Sequence, residues 1–145
     1  MSAASASAPL PPAHAVPAPS LKAVGYPAEV LRVIDGDTFE ARVHVWPGIA
    51  ITTKVRLRGI DAPEMRARCE QERVKAKAAR DALGALLADG AVGISSVSLD
   101  KYGGRIDADA STRRTPNISQ AMLAAGQARP YAGGRRRSWC VGYRD

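Results

Sequence analysis

Aromatic side chains are scarce: 145 residues include one phenylalanine, two tryptophans and four tyrosines. Large rings therefore cannot fill a core, and aliphatic strands with alanine-rich helices must do so. Cysteine and histidine are scarcer still, with two of each. No CxxC and no Cys/His spacing is present, which excludes the usual zinc sites. Cys69 and Cys140 leave open either one disulfide or two free thiols. Acids are few, 14 against 21 lysines and arginines, and the net charge is +7. Such basicity points to a polyanion such as nucleic acid, or to an anionic membrane surface. No apolar run is long enough to span a bilayer; nucleic acid and not a membrane is the partner expected once the acidic and basic residues described below are taken together. There are no internal repeats.

Residues 1–22 are Ala, Ser and Pro with almost no charge. Clustered prolines preclude a regular helix or a paired strand, so this segment reads as a disordered, PPII-like leader. It lacks the basic start and unbroken apolar stretch of a signal peptide. Residues 23–145 are expected to form one domain.

The most informative stretch runs from Ile34 to Glu64, IDGDTFEARVHVWPGIAITTKVRLRGIDAPE. Phe39, Ala41, Val43 and Val45 alternate with Glu40, Arg42, His44 and Trp46. Ile49, Ile51, Thr53, Val55 and Leu57 alternate with Ala50, Thr52, Lys54, Arg56 and Arg58. Each run reads as a half-buried strand, and Pro47-Gly48 joins them as an antiparallel hairpin. A tight turn sets Trp46 opposite Ile49, a residue-number sum of 95. A wider turn or a bulge raises that sum by a few. Asp37 is then expected beside the segment from Arg58 to Asp61, with Arg56 near the same end and Glu64 just beyond.

Two carboxylates brought together repel unless something positive lies between them. Oxygen ligands without His or Cys suit calcium or magnesium. An arginine beside such an ion suits a phosphate. A further Glu, free of the ion, suits a general base. Together these parts describe metal-assisted attack of water on a phosphodiester.

Ala28–Ile34 reads as a first strand and Asp35-Gly36 as a tight turn. From Glu70 to Asp89 the pattern is helical, with Ala76, Ala79, Leu83, Leu86 and Leu87 on one face. Val92–Leu99 and Arg105–Ala110 are two more strands. Asn117 caps a short helix that stops at Gly126. The order β-β-β-α-β-β-α predicts an α+β, mainly β fold: a five-stranded Greek-key barrel of the OB type with two helices. After Tyr131 the chain is Gly-rich and basic.

IDGDT, VRLRGIDAPE and DKYGGR resemble the staphylococcal nuclease (thermonuclease) family, over about Val30 to Tyr131. The resemblance implies calcium held by Asp37, Asp61 and the backbone carbonyl of Ala62, where the family usually has threonine. Asp35 and Thr38 would support the site from behind. Glu64 would be the general base, while Arg56 and Arg105 would contact the phosphate. Arg105 is displaced by the extra Gly104, which a loop glycine can absorb. Lys101, Tyr102 and Tyr131 would bind substrate. The resemblance implies a nuclease acting on DNA and RNA with low sequence specificity. It would prefer single strands, leave 3′-phosphate ends and work as a monomer without an obligate protein partner. The alternative is an OB-type nucleic-acid-binding module with impaired catalysis. A calcium requirement and a disulfide would favour a secreted or periplasmic enzyme.

Overall fold

A computed structural model describes residues 25–101 and 103–140. The expected leader and Tyr102 lie outside the described residues. In chain order the elements are β1 (Tyr26–Asp35), β2 (Thr38–Trp46), β3 (Ile49–Leu57), β4 (Ile60–Asp61), α1 (Glu70–Leu87), β5 (Gly93–Leu99), β6 (Arg105–Ser111), α2 (Ile118–Ala124) and β7 (Arg129–Pro130). The expected barrel closes in the order β1-β2-β3-β6-β5. β3 and β6 run parallel, so Arg56 lies beside Asp107 and Lys54 beside Arg105. Two strands absent from the sequence reading, β4 and β7, form a separate two-stranded sheet.

The hairpin register differs from expectation in sign. Trp46 faces Ile49, but the extra residue falls on β2, so His44 pairs with Ala50 and Thr38 with Arg56. A bulge on the first strand lowers the sum by one instead of raising it. Asp37 therefore meets Leu57, whose N–H donates to the Asp37 carbonyl at 2.8 Å. The burial pattern is also shorter than the alternation implies. Phe39, Ala41, Val43, Val55 and Leu57 are buried, whereas Val45, Ile49 and Ile51 are exposed. β1 pairs with β2 only as far as Val43, and β6 pairs with β3 only from Lys54. Beyond those points the hairpin projects as a two-stranded ribbon, with Trp46 70% exposed near its tip.

The core fills the barrel with Phe39, Val43, Val55, Leu57, Ile60 and Ile94, and is closed by Leu83, Ile118 and Met122 from the helices. α1 buries Ala76, Ala79, Leu83 and Leu87, the stripe its periodicity requires. Asn117 caps α2 by accepting from the Gln120 N–H at 3.1 Å. Its other end is a Schellman closure: the Gln127 N–H reaches the Met122 carbonyl and the Gly126 N–H the Leu123 carbonyl.

Gly36 sits where the β1–β2 turn meets α1. A Cβ there would lie 2.6 Å from Ala79 Cβ and 2.9 Å from Ala62 Cβ, neither of which can rotate away. The absent side chain lets the Asp35–Thr38 turn lie against both the helix and the Ala62 loop. Gly36→Ala should therefore destabilise the protein by roughly 1–3 kcal/mol through overpacking. The check is its denaturant midpoint, and a midpoint equal to wild type would contradict this packing.

Candidate active site

The Asp35–Thr38 turn is tied by its own acids. Asp35 Oδ1 accepts the Asp37 N–H at 3.1 Å, and Asp37 Oδ1 accepts the Thr38 hydroxyl at 2.8 Å. Asp37 Oδ2 accepts the Ala62 N–H at 3.0 Å and stands 3.7 Å from Arg56 Nη2. This bond, and not the strand register alone, joins the turn to the Asp61-Ala62 peptide. Burial, then the charge of Asp37, pushes the Asp35 carboxyl up to about 7. Burial also acts to raise Asp37, but hydrogen bonding with Asp35, the charge of Arg56 and the Ala62 N–H outweigh it and hold it below the usual range. The pair carries less negative charge than two free carboxylates would.

Arg56 is anchored by backbone. Its Nη1 donates to the Leu57 carbonyl at 3.0 Å and Nη2 to the Ile60 carbonyl at 3.2 Å. The Tyr131 ring lies 5.4 Å from its guanidinium carbon. Two carbonyls and a ring fix the plane of the guanidinium, so the group is oriented before any ligand arrives.

Asp61 is only 1% exposed. Arg129 donates to its Oδ2 through Nε at 3.2 Å and Nη2 at 3.1 Å, and the Trp139 indole N–H donates at 3.3 Å. Arg136 Nε donates to its Oδ1 at 2.5 Å. Arg136 further donates through Nη2 to the Ala62 carbonyl at 3.0 Å, and through Nη1 to Glu64 Oε1. One guanidinium thus contacts Asp61, Ala62 and Glu64 together. Arg129 also stacks on the Trp139 ring at 4.3 Å.

The C-terminal segment reaches this place because it is pinned. Cys69 and Cys140 form a disulfide with Cα atoms 5.9 Å apart. Glu72, buried in the first turn of α1, accepts the Glu64 N–H at 2.8 Å on one oxygen and the Trp139 N–H at 3.0 Å on the other. A helix carboxylate therefore holds both the loop carrying Glu64 and the segment carrying Arg136.

Asp35, Asp37, Thr38, Arg56, Glu64, Arg105 and Arg136 line a cleft of about 150 Å³. Arg105 reaches it because Gly103 and Gly104 both take left-handed backbone, turning the chain before β6 starts. Arg105 Nε lies 3.0 Å from Asp100 Oδ2, without the alignment of a hydrogen bond. A neighbouring cavity of about 530 Å³ is lined by Lys101, Tyr131, Arg56 and Arg105 among others. Asp61 lies behind the cleft and not on its wall. Among the described residues, no three His, Cys, Asp or Glu side chains group to hold a metal ion. The expected set has only two carboxylates, completed by a carbonyl.

Sequence reasoning missed Arg129, Arg136, Trp139 and the bridging role of Glu72. The available signal was the cysteine pair. Cys69 follows Glu64 by a short loop, so pairing it with Cys140 draws the preceding arginines past Glu64.

No curated protein matches the chain. A family model, described as staphylococcal nuclease homologue, matches residues 54–139. The match begins within β3, after the Asp35–Thr38 turn, and ends at Trp139. It takes in Arg56, Asp61, Glu64, Arg105, Arg129 and Arg136, and covers more than half the sequence: the chain belongs to the staphylococcal nuclease homologue family.

Proposed function

We propose that the protein is a calcium-dependent nuclease that hydrolyses phosphodiester bonds of DNA and RNA with little sequence preference. It would favour single strands and leave 3′-phosphate ends. Membership of the family suggests a nuclease-type, nucleic-acid-binding domain. The observation carrying the finer reading is the cleft in which Asp37, Arg56, Glu64 and Arg105 meet.

What supports a cation is the donor chemistry. Asp61 Oδ1 and the Ala62 carbonyl converge on one positive group, the Arg136 guanidinium, and Asp37 is bonded to the adjoining N–H. All are hard oxygens, the set calcium prefers. Asp37, Asp61 and the Ala62 carbonyl would hold the ion, with Asp35 and Thr38 steadying Asp37. Such an ion supplies charge that polarises a phosphate oxygen.

The remaining work falls to side chains. Glu64 has a side chain 52% exposed and a backbone fixed by Glu72; released from Arg136, its carboxylate would take a proton from an attacking water. Arg56 has a fixed plane and donors left after its two carbonyl bonds. These meet phosphate oxygens, where negative charge grows in the transition state. Arg105, held by Asp100, faces the same cleft. Lys101 and Tyr131 line the adjoining cavity, where a cation and a ring would hold a flanking phosphate and base. A disulfide suits an oxidising compartment.

A second reading has one observation in its favour. Arg136 occupies Asp61, the Ala62 carbonyl and Glu64, which are assigned to the ion and the base. A binding module with impaired catalysis would keep that arrangement permanently.

Incubation with denatured DNA separates the two. Cleavage in calcium should cease with chelator. Asp37→Ala, Arg56→Ala and Glu64→Ala should each lose roughly 10²–10³-fold in kcat. Arg56→Lys should rescue little, since an ammonium cannot make the planar paired contact. Binding without cleavage at any calcium concentration would select the module.

Arg136 gives a test that needs no substrate. If its guanidinium and calcium compete for the same oxygens, Arg136→Ala should bind calcium about tenfold more tightly, the equivalent of one charge-assisted hydrogen bond no longer broken on loading. Titration calorimetry without nucleic acid reads this directly. Unchanged or weaker binding would remove Arg136 as a competitor.

A further inference from the structure

Beside Glu64, the loop between β4 and α1 faces the C-terminal segment across a cavity of about 410 Å³. Arg66 and Arg68 line one wall, and Arg135, Arg136 and Arg137 the other. Glu64 and Arg136 border both this groove and the 150 Å³ cleft, so the two spaces adjoin at that ion pair.

The groove is positive in effect as well as in composition. Its two acids are already committed: Glu64 pairs with Arg136, and both oxygens of Glu72 accept backbone N–H groups. Arg66, Arg68, Arg135 and Arg137 are exposed. None of the four has a carboxylate within ion-pair distance among the described residues, whereas Arg56, Arg105, Arg114, Arg129 and Arg136 all do. Four unpaired guanidinium groups around one trough repel one another and are offset by a polyanion.

We propose that this groove is a second phosphate-binding site, which takes the backbone of the same nucleic-acid strand beyond the bond at Glu64. The inference rests on the nuclease reading for the strand's origin in the cleft. Guanidinium forks match phosphate oxygens in pairs. The lining holds no aromatic ring, so bases find nothing to stack on and contact is to the backbone alone. A base could meet a ring at Tyr131, while in the groove itself only phosphates would be held. Such a site adds affinity without sequence preference.

The disulfide builds the groove. Cys69 directly follows Arg68, and Cys140 closes the segment that carries the other three arginines. Opening it would loosen the second wall, which would then be held without a covalent link, by Glu72 and Asp61 on Trp139, by Arg129 against its ring and by Arg136.

The test uses the full chain and labelled single strands of about 4 and about 16 nucleotides, the span over which OB-type folds contact single strands. Fluorescence anisotropy is read in chelator over a range of salt for wild type, Arg66→Ala/Arg68→Ala, Arg135→Ala/Arg137→Ala and the fourfold variant. The longer strand should bind the fourfold variant about tenfold more weakly or worse. Its log K against log salt slope should flatten by about 0.7 for each phosphate that is no longer neutralised. The short strand should bind all four proteins alike, and its cleavage in calcium should be unchanged. Reduction of the disulfide should weaken long-strand binding by wild type and leave the fourfold variant where it was. Wild-type affinity and slope in the fourfold variant would overturn the groove, whether or not the protein cleaves. Absence of cleavage by wild type would instead overturn the nuclease reading, and the binding comparison would still decide the groove.

Discussion

The buried carboxylate of Asp61 organises the end of the barrel. A charge so deeply enclosed must be matched by donors on every side, because the low-dielectric interior gives no solvent to replace them. Its matching groups come from β7 and the segment after it: Arg129, Arg136 and Trp139. That requirement explains why β4 and β7 pair at all. Strands of two residues have no independent stability, but Asp61 lies directly opposite Arg129 in their register. The sheet is a frame for the ion pair, and the ion pair is what keeps the frame closed. Removing one partner of such a pair typically costs about 3–5 kcal/mol.

The cleft in front of Asp61 has the opposite problem of excess charge at a surface. Asp35, Asp37 and Glu64 converge there with Arg56 and Arg105. The chain eases the repulsion locally, by pushing the Asp35 carboxyl up to about 7. It also does so at long range, by delivering Arg136 to Glu64 and the Ala62 carbonyl. The Arg136 guanidinium is a countercharge supplied by a tethered segment. It satisfies Asp61, Glu64 and the Ala62 carbonyl together, from a segment that the Cys69–Cys140 bond holds in place.

What was legible in the sequence followed from local periodicity. The β2–β3 alternation, the α1 stripe from Ala76 to Leu87, the Asn117 cap and the Gly126 stop are each set by a few adjacent residues, and each is present. Where the reading departed, the cause was nonlocal. The bulge that shifts His44 onto Ala50 is a property of the pairing and not of either strand. Exposure of Ile49 and Ile51 depends on where β6 stops pairing, which their own alternation cannot reveal. β4 and β7 are too short to show any period. In the candidate site, motif residues could be placed by resemblance, but Arg129, Arg136 and Trp139 act through a disulfide that two lone cysteines leave undecided.

The placement of free arginines follows from the same tether. A chain with 21 lysines and arginines could spread them evenly and gain only solubility. Here the disulfide gathers five around one groove while Arg129 is drawn inward to Asp61. Sequence distance divides the roles. Arg129, nearest the barrel, is half-buried in its pair with Asp61. Arg136, midway to the cysteine, bridges Glu64 and the peptide behind it. Arg135 and Arg137 flank Arg136 and point elsewhere than its carboxylate partners, so they stay solvated and unpaired. One short segment therefore supplies a structural cation, a bridging one and a free pair. What separates these uses is the order in which the segment passes first Asp61 and then Glu64 on its way to Cys69.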